Sequence, residues 1–112
     1  MSLQRHKGKQ QVTVMGSLSI CKGSRQVKVD KQEVNLTSLE FNLLTLLMKH
    51  SPELLPRASI IKQLFHGAEH KQQVINIHIS NLRKKLQHYS SGLSIQAMRG
   101  QGYYLVVEKS PL

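Results

Sequence analysis

The sequence predicts a single α+β domain in which an antiparallel sheet is followed by three helices and a β-hairpin. Short alternating apolar runs occupy residues 12–36, and helical apolar patterns occupy residues 37–89. A last alternating pair flanks a Gly-containing turn between residues 93 and 107. We expect the domain to cover residues 12–110. Residues 1–11 are polar, basic and patternless, and we expect a flexible tail or a linker remnant there.

The charge balance of the chain points to an anionic partner. Sixteen Lys and Arg residues against six Asp and Glu give a formal charge of +10 over 112 residues. Cys21 is the only cysteine, so no internal disulfide can form and a reducing compartment is favoured. No stretch has the apolar length of a membrane span and no signal peptide is visible. We therefore expect a cytoplasmic chain without membrane contact.

The first two thirds of the sequence predict the scaffold. Alternating pairs with turn residues between them indicate a meander of small strands up to Leu36. Thr37 and Glu40 form a capping-box pattern before an apolar helix. Pro56 suits the start of a short helix that we expect to end near Gly67.

Residues 71–89 predict the central helix. Ile75, Ile79, Leu82 and Leu86 follow one another at spacings of four, three and four, which places them on one narrow stripe. The run contains no Pro, no Gly and no acidic residue. Ile77 lies almost opposite the core stripe.

The exposed face of this helix has the chemistry of a DNA-reading surface. Asn and Gln side chains can pair with adenine edges, and an apolar side chain can meet a thymine methyl group. Arg83, Lys84 and Lys85 can supply phosphate contacts. The alternative is an ordinary surface helix with solvated basic residues, and the helix alone does not decide between the two.

The last segment predicts a hairpin with a basic tip. Strands from Leu93 and from Tyr103 flank the turn at residues 99–102. An Arg at such a tip can enter a narrow minor groove, and the alternative is a tight turn with a solvated Arg.

No group of residues predicts an enzyme, a metal site or a cofactor. Glu40 has no carboxylate partner nearby and is explained by helix capping. His66 and His70 have helical spacing, but Gly67 lies between them and no third ligand has fitting spacing. Cys21 is better explained as a strand residue than as a nucleophile.

Three strings together resemble the winged-helix output domain of bacterial OmpR/PhoB-type response regulators. They are V-N-L-T-S-L-E-F-N-L-L (residues 34–44), I-N-I-H-I-S-N-L-R-K-K-L (75–86) and M-R-G-Q-G-Y-Y-L (98–105). The resemblance covers about residues 15–108. It implies a winged helix-turn-helix with an N-terminal four-stranded sheet, the third helix (71–89) in the major groove and the hairpin wing (93–107) in the minor groove.

The resemblance also implies roles for particular residues. Arg99 would be the minor-groove residue of the wing, and Arg57 matches a family Arg of the second helix. The base-facing residues would be Asn76, Ile77, Ser80 and Asn81. The DNA backbone would contact Gln73, His78, Arg83, Lys84, Gln101, Gly102 and Tyr103. A loop facing RNA polymerase would consist of His66, Gly67, Ala68, Glu69, His70, Lys71 and Gln72.

The sequence departs from the family pattern at several positions. Ser80 and Asn81 stand where Arg or Lys is frequent in the family. The recognised DNA site is therefore expected to favour adenine over guanine, or to be recognised weakly at these positions. Phe65 replaces a common Trp, Pro56 a capping Ser or Thr, and Met98 a common Val.

The resemblance implies transcription regulation within a two-component phosphorelay. The isolated domain would be a monomer that forms a dimer on tandem half-sites in double-stranded DNA. No acidic cluster of a receiver domain occurs in this chain. The parent is therefore expected to be either a response regulator or a membrane-anchored ToxR-like regulator. A basic RNA-binding domain and a protein-interaction module remain alternative functions.

Overall fold

The computed structural model describes residues 12–65, 72–89 and 92–107. Within these ranges the predicted α+β architecture is confirmed. A four-stranded sheet is followed by three helices and a hairpin, with one short strand between the first two helices. The elements are β1 (Val12–Met15), β2 (Leu18–Cys21), β3 (Gln26–Val29), β4 (Gln32–Val34), α1 (Ser38–His50), β5 (Leu55–Pro56), α2 (Arg57–Leu64), α3 (Gln72–Tyr89), β6 (Leu93–Met98) and β7 (Gly102–Val107).

The N-terminal sheet is the predicted antiparallel meander, in the order β1-β2-β3-β4. Asp30 and Lys31 both have positive φ, which is the backbone geometry of a tight two-residue hairpin turn between β3 and β4. Val12 and Val14 of β1 are exposed, because the register pairs Thr13 with the buried Ile20 and thereby turns the valines outward.

Helix α1 begins at the predicted capping box. The Thr37 hydroxyl accepts a hydrogen bond from the Glu40 amide at 3.1 Å, and the Thr37 amide donates to Glu40 Oε1 at 3.0 Å. Arg25 ties the helix to the sheet. Its guanidinium lies 4.2 Å from the centre of the Phe41 ring and donates to Asn42 Oδ1 at 3.0 Å.

The four predicted core positions of α3 are all buried. Ile75, Ile79, Leu82 and Leu86 belong to the hydrophobic core, together with apolar residues of the sheet and of α1. Burying one side of an 18-residue helix fixes its rotation about its own axis. The opposite face is therefore presented to solvent in a defined orientation.

A second sheet, which the sequence patterns did not predict, carries the wing. Its strand order is β5-β7-β6, so β5 joins the chain before α2 to the hairpin. Gly102 allows this close approach, because a Cβ at this position would lie 2.2 Å from the Leu55 carbonyl oxygen. The two-residue length of β5 explains why no periodicity revealed it.

Helix α2 begins where the sequence predicted, directly after Pro56. Arg57 is the first residue of α2, and Pro56 occupies the N-cap position without any side-chain hydrogen bond. The helix ends at Leu64, with Phe65 as its C-cap, and the predicted end at Gly67 lies outside the described residues. None of the described helices has the length and hydropathy to cross a membrane.

Candidate nucleic-acid interface

The exposed face of α3 is one stripe of polar and basic side chains around an exposed isoleucine. Ile77 is 57% exposed and is one of four exposed large apolar side chains among the described residues. Ser80 and Arg83 are half-buried at the edge of the stripe. The exposed neighbours are Gln73, Asn76, Asn81 and Lys84. The structure thus brings the four predicted base-facing residues together on one helix face.

The wing projects beside this face. Residues 99–101 connect β6 to β7, and the Gln101 amide closes the turn on the Met98 carbonyl at 2.9 Å. Gly100 has a φ of +76°, a conformation that side chains other than glycine's rarely adopt. Arg99 is exposed next to it. The tight turn therefore presents one cationic side chain to solvent at the tip of the hairpin.

One hydrogen bond couples the wing to the exposed face of α3. The Tyr103 hydroxyl donates to Asn76 Oδ1 at 2.8 Å, and Tyr103 itself is only 7% exposed. The resemblance implied a phosphate contact for Tyr103, whereas the hydroxyl is used within the protein. The alternation of Tyr103 and Leu105 along β7 indicates a buried tyrosine, and buried tyrosines usually have a hydrogen-bond partner.

Arg83 makes a second link between α3 and the wing. Its Nε and Nη2 atoms donate to the Ile95 carbonyl oxygen at 3.0 and 2.7 Å. Two charged donors on one strand carbonyl tether β6 to α3. The guanidinium that the sequence suggests as a phosphate contact is thus partly engaged in holding the wing.

Lys84 and Lys85 are adjacent in sequence but differ in surroundings. Lys84 is exposed and forms no ion pair within the described residues. The Lys85 ammonium lies 2.7 Å from Glu40 Oε1, and Glu40 is only 2% exposed. The sequence-based grouping of Lys85 with the phosphate contacts is therefore not supported by the geometry, since its charge is directed at the start of α1.

The environment of Glu40 favours its charged form. Burial raises the pKa of the Glu40 carboxyl, but other contacts outweigh it. They are the hydrogen bonds from Lys85 and from the Thr37 amide and the nearby charges of Lys85 and His78, and they bring the pKa below its usual value. His78 is half-buried, and its Nδ1 atom is buried without a partner in the described part of the chain. Its predicted contact with DNA would therefore have to use Nε2.

The remaining predicted residues are divided between surface and interior. Gln101 is exposed in the wing turn, and its carbonyl oxygen accepts the Arg57 amide at 3.0 Å. Gly102 is buried against β5, so its placement is explained by packing rather than by a phosphate contact. The polymerase-facing residues His66 to Lys71 lie outside the described residues, as does the Gln72 side chain.

The described residues give no support to a metal site or to a reactive cysteine. No cluster of three or more His, Cys, Asp or Glu side chains is arranged to hold a metal ion within those ranges. Cys21 is the last residue of β2, in agreement with its prediction as a strand residue. Hydrogen bonds from Ser24, through its hydroxyl and its backbone, lower the pKa of the Cys21 thiol despite an opposing effect of burial.

Together the N-terminal sheet, the three helices, the exposed face of α3 and the hairpin beside it define a winged helix-turn-helix domain. Residues 31–105 match the family model described as "Transcriptional regulatory protein, C terminal". The chain belongs to this family. The match confirms the resemblance drawn from the three sequence strings.

Solved structures of relatives have the same fold. The DNA-binding domain of Klebsiella pneumoniae RstA, in complex with the RstA box, superposes with a TM-score of 0.74 at 28% identity. That match covers 86% of this chain and 97% of the RstA chain. The DNA-binding domain of Escherichia coli CpxR gives a TM-score of 0.76 at 28% identity, with 89% and 99% coverage. These neighbours support the DNA-binding interpretation. They give no support to the RNA-binding alternative.

A similar full-length protein places the domain in a larger context. The Pseudomonas aeruginosa two-component response regulator PhoP is 32% identical over 103 residues. The alignment covers 90% of this chain and 46% of PhoP. This chain therefore spans about half the length of the curated relatives it matches.

Proposed function

We propose that this domain binds double-stranded DNA in a sequence-dependent manner and regulates transcription. The observation that carries the proposal is the exposed face of α3. An isoleucine 57% exposed lies opposite a fully buried stripe and among amide, hydroxyl and basic side chains. The exposed surface of Ile77 does not stabilise the free domain. Contact with a thymine methyl group would bury that apolar surface and contribute to binding.

The dimensions of the two elements suit adjacent grooves of DNA. Helix α3 rises roughly 16 Å between Gln73 and Lys84, enough to follow several base pairs in a major groove that admits an α-helix. The wing carries Arg99 beside it. A narrow minor groove attracts arginine because its potential is the most negative there. We therefore assign α3 to the major groove and the tip of the wing to the minor groove.

The exposed side chains divide into two groups by chemistry. Amide, hydroxyl and apolar groups can contact base edges, and we assign this role to Asn76, Ile77, Ser80 and Asn81. Cationic and donor groups at the margins can contact phosphates, and Lys84, Gln73, Gln101 and the free edge of Arg83 suit that role. His78 would contribute through Nε2.

The similarity to PhoP of Pseudomonas aeruginosa supports a response-regulator parent. In that context the rest of the protein would be a receiver domain, and its phosphorylation would promote pairing of two output domains on tandem half-sites. Such a protein acts in the cytoplasm, where it reaches both DNA and RNA polymerase. We propose no catalytic activity for this domain. A membrane-anchored parent predicts the same DNA contacts and a membrane anchor in place of the receiver domain.

Selection from a random pool of DNA duplexes at physiological salt tests the proposal. We expect two similarly oriented half-sites, bound about a thousandfold more tightly than bulk DNA. Duplex RNA of the same length is the comparison for the RNA-binding alternative. Equal affinity for all duplexes would reduce the domain to a non-specific polycation, and a preference for RNA would overturn the proposal.

A further inference from the structure

A cleft of about 240 Å³ lies between the start of α2, the first turns of α3 and the tip of the wing. It separates the major-groove surface from the minor-groove residue of the proposed complex. Asn76 of α3 lines it, as do Arg99 and Gly100 of the wing turn. None of the described residues that line it is acidic, and Arg57 is among them.

Arg57 differs from the other described arginines. The Arg25 guanidinium has acceptors on α1 and a ring face below it, and the Arg83 guanidinium has the Ile95 carbonyl. Arg99 is exposed to water. Arg57 is half-buried, and its Nε atom is inaccessible to solvent without a hydrogen-bond partner in the described part of the chain.

A charged group in this position requires an acceptor. An N–H group that loses water without gaining a hydrogen bond costs stability, and the Nε–H of Arg57 is such a group among the described residues. The backbone amide of Arg57 is already bonded to Gln101, so the backbone holds the side chain at the cleft. Among the described residues, the only ion pair joins Lys85 to Glu40, so no described carboxylate neutralises Arg57.

The position of the cleft defines the kind of anion. The two grooves of DNA are separated by a sugar-phosphate backbone, so a protein with a helix in one groove and a wing in the next must span one strand. The cleft lies between the elements that would occupy those grooves. A phosphate of the spanned strand would thus enter next to Arg57. Arginine is well suited to it because the guanidinium fork matches phosphate geometry.

We propose that Arg57 binds the backbone phosphate that passes between α3 and the wing. This inference rests on the proposed DNA binding and adds a residue on the second helix to the interface. The contact is independent of base sequence and fixes the distance between the two groove contacts.

The test compares Arg57→Gln, Arg57→Lys and the wild-type chain on the selected site and on an unrelated duplex. Lys28→Gln is the matched loss of charge, since Lys28 is exposed on β3, on the outer face of the N-terminal sheet. We expect Arg57→Gln to lose about tenfold in affinity on both duplexes and about one unit of the salt slope. Arg57→Lys should keep the slope but lose several-fold in affinity. Lys28→Gln should change neither.

Duplexes with one neutral methylphosphonate at successive positions identify the phosphate directly. One position should weaken the wild type and leave Arg57→Gln unaffected. The inference would be overturned if Arg57→Gln bound with unchanged affinity and salt slope. It would also be overturned if Arg57→Gln lost affinity but kept the methylphosphonate profile of the wild type. If Arg57→Gln fails to unfold cooperatively, the profile of Arg57→Lys decides in the same way. A wild-type chain that binds no duplex would instead refute the proposed function itself.

Discussion

The hydroxyl of Tyr103 lies 2.8 Å from Asn76 Oδ1 and joins the wing to the exposed face of α3. The tyrosine is buried and the asparagine is exposed, so a core residue of one element orients a surface residue of another. A hydrogen bond that occupies the amide oxygen directs the amide nitrogen elsewhere. Asn76 is thereby held in one orientation before any ligand arrives.

We predict that Tyr103→Phe impairs recognition more than folding. The loss of one hydrogen bond should cost about 0.5–1.5 kcal/mol of unfolding free energy, because the ring still fills its place. Affinity for the selected site should fall about fivefold as the Asn76 amide loses its orientation, whereas affinity for bulk DNA should not change. Tyr104→Phe is the matched control. Equal losses on both DNAs would contradict the positioning role of Tyr103.

Arg83→Met should uncouple the wing from α3. Both donors to the Ile95 carbonyl disappear, while the methionine retains most of the aliphatic contact. We expect unfolding free energy to fall by about 1–2 kcal/mol, the lower part of the range for charged donors because the side chain is partly exposed. Urea denaturation measures this. Lys84→Met next to it should change stability by less than about 0.5 kcal/mol, and similar losses in both variants would argue against the Arg83 link.

Lys84→Ala should weaken binding to every duplex alike. Its ammonium is exposed and unpaired among the described residues, so a phosphate contact would release about one counterion. The slope of log affinity against log salt concentration should therefore become shallower by about 0.9. Titrations at four salt concentrations give the slope, and Lys28→Ala on the outer face of the N-terminal sheet is the control. A slope equal to that of the wild type would remove Lys84 from the phosphate contacts.

Asn81→Ala should affect only the preferred DNA. Asn81 is exposed on the same stripe as Ile77, and its side chain forms no hydrogen bond within the described residues. We expect a loss of about 1–3 kcal/mol in binding free energy on the selected site and little on random DNA. Competition titration with both DNAs measures the difference. Asn35→Ala, at an exposed position before α1, is the control and should leave both affinities unchanged. If Asn81→Ala lost as much affinity on random DNA as on the selected site, Asn81 would not read bases.

Local patterns predicted the elements and the direction of their faces. The spacing of Ile75, Ile79, Leu82 and Leu86 fixed the buried side of α3, and the exposure of Ile77 followed from the same periodicity. The capping box at Thr37 and Glu40 is equally local. These features depend on neighbours within a few residues, which a single sequence displays.

The partners of long side chains could not be predicted in this way. Arg83 reaches a carbonyl twelve residues away and Lys85 a carboxylate forty-five residues away, and helical spacing places both near the DNA-facing side. Which of three consecutive basic residues stays free depends on the packing of α3 against α1 and β6. Strand β5 was missed for the same reason, since two residues have no period and their pairing with Gly102 is tertiary.

The ion pair between Lys85 and Glu40 should give the domain a pH-dependent stability. The pKa of Glu40 lies below its usual value, so its ionised form stabilises the folded state. That contribution is complete above the unfolded pKa of about 4.3 and is lost as the pH falls through the lower folded pKa. In Lys85→Met, burial still raises the pKa of Glu40, while the hydrogen bond and the charge that Lys85 supplies against burial are gone.

We therefore expect Lys85→Met to be about 1–3 kcal/mol less stable than the wild type at pH 7, with a difference that shrinks below about pH 4.5. Urea denaturation across this range measures it. Glu40→Gln is the partner variant, because glutamine keeps the capping box and removes the charge. In the Glu40→Gln background, Lys85→Met should cost less than about 0.5 kcal/mol at any pH. A Lys85→Met penalty that stayed constant from pH 7 to pH 3.5 would show that Lys85 stabilises the fold by packing rather than by its charge.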